Sequence, residues 1–246
     1  MFTLEWDKVG ERFFESGVSQ GVLYPMTSAG AYPKGVAWNG LTGVDENPDG
    51  AEEQILWADN IKYATFRTPE NHKGSIKAYT YPDEWLPCDG QRSPGELAGL
   101  TFGQQKRQPF GFCYRTEIGN DTALEDDDGY ILHLVYNSTV SPSSKSRATQ
   151  NENPDAVEFS WDYSSTPVPV SNVEGVKQTA TLELNSLKLG KAKMDAIEAV
   201  LYGNGEANAR LPLPNEVITI LNNATEGDDG EEHTNTDTTN TEPSNP

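Results

Sequence analysis

The sequence predicts an all-β fold with one flanking α-helix, long loops and flexible ends. The main observation is alternation of apolar and polar residues, which is clearest at residues 156–163. There Val157, Phe159, Trp161 and Tyr163 share one face, a pattern that indicates a strand with one face buried. Turn-forming residues such as those at 47–50 separate the strand candidates. Only one segment, residues 191–202, shows strong helical spacing.

Further segments are rich in β-branched and aromatic residues. Residues 130–136 are apolar on both faces, which is typical of a central strand covered on both sides. Residues 55–66 are long enough for a long or broken strand. The remaining strand candidates are 110–115, 76–81, 177–184 and, after a Pro-rich stretch, 217–221.

The helix candidate at 191–202 places four apolar side chains on one face, and a glycine follows where a C-terminal cap belongs. The face consists of Met194, Ile197, Val200 and Leu201. A short helical turn is predicted at 82–86, because Pro82 occupies its first position and acidic residues follow in the first turn.

The charge divides the chain into two parts. The 246 residues carry 18 Lys and Arg against 38 Asp and Glu, a net charge of −20. Residues 224–246 hold seven acids and no base, so the remainder is still at −13. We therefore predict a folded β domain over 1–224 and a disordered acidic tail over 225–246. The negative charge disfavours binding to nucleic acid and to anionic membranes, and no run approaches the ~20 apolar residues of a membrane span.

Residues that commonly carry chemistry do not cluster in the sequence. His72, His133 and His233 are not spaced as a metal pair, and His133 in a dense strand favours a structural role. Cys88 and Cys113 are predicted to be buried, reduced thiols. We therefore predict no catalytic residue, no cofactor site and no metal site, and no enzymatic activity.

Two acidic motifs do not match the functional sites that they resemble. The run 125–131 resembles part of a calcium-binding loop, but Leu124 and Val135 stand where that loop needs carboxylates. Asp83 and Glu84 form an acidic pair beside a tryptophan, as in glycoside hydrolases. Because adjacent residues rarely point into one site, the start of a helical turn explains this pair better.

Ordered blocks covering roughly residues 20–170 resemble the major tail proteins of long-tailed, non-contractile bacteriophages. They include Val22-Leu23-Tyr24-Pro25 and Phe102-Gly103-Gln104-Gln105. The remaining blocks are 35–42, 58–63, 78–84, 110–116, 119–122, 130–136, 159–161 and 166–168.

The resemblance implies a β-sandwich or barrel of the tail tube type, with the helix at 191–202 as its flanking helix. It also implies a virion protein, made in the bacterial cytoplasm, that forms hexameric rings stacked around a tape-measure protein. Terminator and distal tail proteins would bind the two ends, and DNA would pass through as transient cargo. Residues 42–54 and 138–154 are both candidates for the stacking loop. Outward-facing side chains such as Glu158 and Asp162 are candidates for lining an acidic lumen that repels DNA.

Two other functions stay open on the sequence. A carbohydrate-binding or decoration module on a virion surface would use tryptophans as sugar-stacking faces; the five are Trp6, Trp38, Trp57, Trp85 and Trp161. A hydrolase with a dispersed site would need a clustered acid pair, which the sequence does not display.

Overall fold

Long antiparallel strands carry the fold. The structure, a computed structural model, describes residues 3–68, 70–97, 99–122, 129–147, 149, 156–205 and 207–224. The strands are β1 (Phe13–Pro25), β2 (Val36–Trp38), β3 (Leu41–Glu46), β4 (Asp49–Gly50), β5 (Glu53–Ala58), β6 (Ile61–Arg67), β7 (Glu70–Asn71), β8 (Lys73–Ala78), β9 (Phe110–Asn120), β10 (Tyr130–Val140), β11 (Phe159–Ser165), β12 (Val168–Pro169), β13 (Gln178–Thr179) and β14 (Thr181–Asn185). The helices are a 3₁₀ turn at Asp83–Trp85, α1 (Ser186–Leu189), α2 (Lys191–Leu201) and α3 (Pro214–Asn223).

The main sheet has the order β2-β1-β9-β10-β11-β8-β3, and β14 pairs with β10 as a branch. Residues Ile131–Val135 of β10 pair with β14, whereas Ser138–Val140 pair with β11. Between these stretches the register to β9 shifts, and Asn137 has a left-handed φ of 46°. This bulge lets β10 pass from one sheet layer to the other.

With 42% strand and 14% helix, the predicted β class is confirmed.

One core is largely aromatic and lies between two layers of the sheet. One layer contains β1, β2 and β9, and the other contains β3, β8 and β11. Trp38 is central, with its ring centroid 4.5 Å from that of Trp85 and 5.7 Å from that of Trp161. Phe110 and Phe112 from β9 complete the cluster. The buried face predicted for residues 157–163 is confirmed from Phe159 to Tyr163, whereas Val157, before the strand, is exposed.

A second core lies between the outer face of β1, β9 and β10 and the helices. Met194, Ile197 and Leu201 of α2 pack there with Val217 of α3. The Tyr24 hydroxyl donates to the carbonyl of Leu201 at 2.7 Å. Strands β9 and β10 therefore bury both faces, as the dense pattern at 130–136 predicted. The helix predicted at 191–202 is confirmed as α2, although Val200 is only partly buried.

Two predictions about the C-terminal half are wrong. Residues 217–221 form part of helix α3 rather than a strand. Pro214 occupies the first turn of that helix, and Val217, Ile220 and Leu221 share its inner face at helical spacing. There are consequently three α-helices in the described residues instead of the one expected.

Other predicted elements are shifted or divided. The helical turn predicted at 82–86 is confirmed as the 3₁₀ turn. The strand predicted at 76–81 overlaps β8 but ends at Ala78, and the strand predicted at 177–184 is divided into β13 and β14. Residues 42–54 are largely strand, in β3, β4 and the start of β5, and Ser138–Val140 belong to β10. The tail at 225–246 and the acidic residues 125–128 lie outside the described residues.

Candidate assembly surface

A long hairpin extends from the edge of the sheet. We call residues 47–72 the arm. Strands β3 and β8 pair up to Glu46 and Gly74, after which β4 pairs with β7 and β5 pairs with β6. The predicted long or broken strand at 55–66 is thus broken by a turn into two strands. At ~3.3 Å per residue, the arm can reach up to about 40 Å.

Local chemistry explains why the arm is a hairpin. Asp59 and Asn60 form its tip with φ values of 50° and 62°, the left-handed conformation that two-residue hairpin turns require. Asn and Asp tolerate this conformation better than other non-glycine residues. Lys62 and Glu53 form a cross-strand ion pair at 3.1 Å. The backbone N–H of Thr68 donates to the carbonyl of Glu52 at 3.1 Å, which closes the base.

The arm is apolar but uncovered. Its large hydrophobic side chains are between 41% and 71% exposed, and they are Ile55, Leu56, Trp57, Ile61, Tyr63 and Phe66. Ile55 pairs with Thr65, and the next residue pair, Gln54 with Phe66, points to the opposite face. Both faces therefore present apolar surface. A lone two-stranded hairpin is at best marginally stable in water, and contiguous exposed apolar surface is typical of an interaction site.

A second exposed apolar stretch lies before β1. We call residues 3–14 the N-terminal segment. Its large apolar side chains are 58–76% exposed, and they are Leu4, Trp6, Val9, Phe13 and Phe14. Asn120 donates to the carbonyl of Gly10 at 2.8 Å, and Asp121 accepts from the Gly10 N–H at 3.0 Å. These bonds hold the segment against the end of β9.

The N-terminal segment leads into an open strand edge. β1 pairs with β9 along its length, but on its other side β2 pairs only with Gly21–Leu23. Within the described residues, the stretch 13–20 of β1 has no partner strand on that side. Its N–H and C=O groups can therefore accept a strand from another chain.

The outer face of β3, β8 and β11 is polar. Across it, Asp162 pairs in register with Ser75, and Ser75 pairs with Asp45. Lys77 contacts Asp45 at 2.7 Å, and this bond lowers the pKa of the Asp45 carboxyl. Glu158, which accepts a hydrogen bond from Thr42, and Asp162 are both exposed on this side of the sheet.

The structure divides the five tryptophans. Trp38, Trp85 and Trp161 are buried in the aromatic core, so they cannot stack on a sugar. Trp6 in the N-terminal segment and Trp57 in the arm are exposed. The five tryptophans therefore do not form one sugar-binding surface, because three of them pack against each other in the core.

The histidines have structural surroundings. His133 is buried, with its Nε2 2.9 Å from the hydroxyl of Thr116 and 3.4 Å from a carboxylate oxygen of Glu15. His72, at the base of the arm, is half-buried 3.4 Å from the hydroxyl of Tyr163, and burial lowers its pKa. His233 lies outside the described residues.

The thiols and the acidic pair match their structural predictions. Cys88 and Cys113 are free and buried, and burial raises the pKa of each to about 12. Glu84 forms an ion pair with Lys34 at 3.0 Å on the 3₁₀ turn.

Among the described residues there is no group of three His, Cys, Asp or Glu suited to holding a metal. None of their helices has the length and apolar character needed to cross a bilayer.

The apolar residues of the arm other than Trp57 are functional candidates that sequence reasoning missed, and Trp57 was considered only as a sugar-stacking residue. The signal was the Asp59–Asn60 turn between two runs rich in β-branched and aromatic residues.

Comparison with protein-family models finds no match for the chain. Comparison with curated proteins likewise finds no significant match.

Proposed function

We propose that this protein is a structural subunit that assembles with copies of itself into stacked rings, forming the tail tube of a long-tailed bacteriophage. The observation that carries the proposal is the arm, whose apolar side chains are exposed on both faces. Exposure of this apolar surface to water costs the monomer free energy. Contact with a partner would remove the surface from solvent and so be favourable.

The geometry favours contacts between unlike surfaces. The arm offers an apolar hairpin, whereas the N-terminal segment and the free stretch of β1 offer apolar side chains beside an unpaired edge. When two different patches of the same chain bind each other, the contact is head-to-tail, and repetition gives closed rings or open helical filaments. The arm overlaps the first of the two predicted stacking segments, 42–54, at residues 47–54, and we propose it as the element that joins copies.

The polar sheet face supports a conduit. Its lysines Lys73 and Lys77 are engaged by Asp49 and Asp45, so they are not free to bind phosphate. Glu158 and Asp162 add exposed negative charge. A basic wall would hold DNA through counterion release, whereas an acidic wall keeps the duplex away. We propose that this face lines the lumen and that the subunit has no enzymatic activity, with a tape-measure protein and end-capping proteins as its other partners in the virion.

The test is assembly of the full chain. We expect rings or tubes at high protein concentration in negative-stain electron micrographs, and fast-sedimenting species in analytical ultracentrifugation. The double variant Trp57→Ser/Phe66→Ser removes apolar surface from the arm, so we expect it to remain monomeric.

The matched control is Val173→Ser/Leu187→Ser, which removes exposed apolar side chains outside the arm. We expect this control to assemble like the wild type. Monomeric wild-type protein at every salt and protein concentration would overturn the proposal. Unchanged assembly of the arm variant would refute the role of the arm.

A carbohydrate-binding module remains the second candidate, since Trp6 and Trp57 are exposed. It predicts binding on a glycan array that Trp57→Ser abolishes. An array without hits, together with tubes in the micrographs, separates the two functions.

A further inference from the structure

Unpaired positive charge is concentrated in one region of this acidic protein. Ten of the 18 Lys and Arg side chains form an ion pair with an acid in the described residues. Of the eight that do not, four belong to two neighbouring segments, the loop 87–108 before β9 and residues 141–147 after β10. These four are Arg92, Lys106, Arg107 and Arg147.

Contacts join the two segments into one surface. Lys145 forms an ion pair with the buried Asp89. The N–H of Gln105 donates to the carbonyl of Gly90 at 2.9 Å, and the side chain of Arg107 packs over that glycine. The N–H of Arg92 donates to the carbonyl of Phe102 at 2.9 Å. We call Arg92, Lys106, Arg107, Lys145 and Arg147 the basic patch.

The two segments of the basic patch carry an excess of positive charge in their own sequence. Residues 87–108 and 141–147 contain five bases and two acids, in a chain whose net charge is −20. One of the acids, Asp89, is already bonded to Lys145 and Gln91. The Nε of Arg107 is buried without a hydrogen-bond partner in the described residues. Because this Nε is closed to solvent, a carboxylate would bind Arg107 through the terminal nitrogens of its guanidinium, in charge-assisted hydrogen bonds.

We propose that the basic patch binds the acidic C-terminal segment, residues 225–246, of this same protein. That segment contains seven acids, no base and no residue from the set A, V, I, L, M, F, W, Y and C. Its contacts would therefore be charge-assisted hydrogen bonds and ion pairs, and salt would weaken them. This proposal does not depend on the assembly proposed above.

The covalent connection makes this acidic segment the favoured occupant. The segment begins after Ala224, which follows α3, and its 22 residues can span up to about 70 Å when extended. Tethering raises its local concentration, to the millimolar range for short linkers, so weak ion pairs suffice. Nucleic acid would bring phosphates to the same bases, but the net charge of −20 repels it.

The experiment uses the full chain and a zero-length carbodiimide cross-linker, which joins lysine amines to carboxylates. Cross-linked peptides are then identified by mass spectrometry. We expect the C-terminal acids to cross-link mainly to Lys106, with a smaller yield at Lys145. Links within one chain and links between two chains both support the proposal.

Two variants make the result specific. Arg92→Gln/Arg147→Gln alters exposed side chains that form no side-chain hydrogen bond or ion pair within the described residues, and we expect the yield at Lys106 to fall about fivefold. The control Lys177→Gln/Lys188→Gln removes two bases that lie outside the patch and also form no ion pair within the described part of the chain, and we expect no change in the yield at Lys106. Replacing the seven C-terminal acids by Asn and Gln should abolish the links.

Three outcomes would overturn the proposal. The first is preferential linking to Lys188 of α1 or Lys193 of α2, because α2 packs beside α3, α1 packs beside α2, and simple tethering favours those lysines. The second is a yield at Lys106 that does not respond to the patch variant. The third is binding of a DNA duplex that the patch variant abolishes while links to Lys106 are absent, which would assign the patch to nucleic acid.

Discussion

The sheet body and the arm are built from the same kind of strand but differ in how their side chains are covered. In β9 and β10 nearly every apolar side chain is buried, by the aromatic core on one face and the helices on the other. In β5 and β6 no side chain is buried, although Ile, Trp, Tyr and Phe recur there. An apolar strand pattern thus indicates that a strand needs covering, but it does not say whether the same chain covers it.

The largest expected effect contrasts two tryptophans. Trp161→Ala removes a fully buried ring that contacts Trp38 and Trp85, and we expect it to lower the free energy of unfolding by about 3–5 kcal/mol. Trp57→Ala alters an exposed ring in the arm, so we expect a change within about 0.5 kcal/mol. Denaturant titration of dilute protein measures both. A comparable loss for Trp57→Ala would mean that the arm packs on the body.

The thiols give a kinetic contrast. Burial raises the pKa of Cys88 and Cys113 to about 12, so few thiolates form at pH 8. A cysteine placed in the arm by Thr65→Cys has an ordinary pKa, and we expect it to react with a disulfide reagent about a thousandfold faster. In denaturant all three thiols should react alike. Rapid labelling of Cys88 or Cys113 in the native protein would contradict the closed cores.

Two ion pairs provide the smallest contrast. Among the described residues, Lys145→Ala leaves the buried carboxylate of Asp89 with Gln91 as its one side-chain partner, and we expect the free energy of unfolding to fall by about 1–3 kcal/mol. Lys62→Ala breaks the exposed pair with Glu53 in the arm, and we expect a loss below about 1 kcal/mol. Thermal and denaturant unfolding measure both. Equal losses would mean that Asp89 is solvated in solution.

The predictions from sequence succeeded where periodicity reports burial within the chain. The alternation at 157–163 and the dense pattern at 130–136 both identified core strands. The prediction failed at 217–221, because a short apolar run fits a strand and a helix equally. Pro214 and the spacing of Val217, Ile220 and Leu221 held the missing information.

The candidate sites were harder to predict, since they depend on contacts between distant segments. Nothing in the sequence joins Lys145 to Asp89, yet that contact brings two basic segments together. The stacking candidates 42–54 and 138–154 were predicted as long loops, because the family resemblance implies that a long loop joins the rings. The arm instead relies on apolar residues, which sequence reasoning assigned to a strand without asking what covered it.

The bulge in β10 has a consequence for how the protein unfolds. Leu134 lies in the core beneath the helices and Val135 in the core between the sheet layers, so one strand contributes to both. At Asn137 the backbone N–H donates to the hydroxyl of Tyr32 at 2.9 Å, which fixes the point where the strand changes layer. Because β10 contributes side chains to both cores, unfolding of either core would also remove packing contacts from the other. We therefore expect the body to unfold as a single cooperative unit, whereas β5 and β6, in which no side chain is buried, can open without disturbing either core.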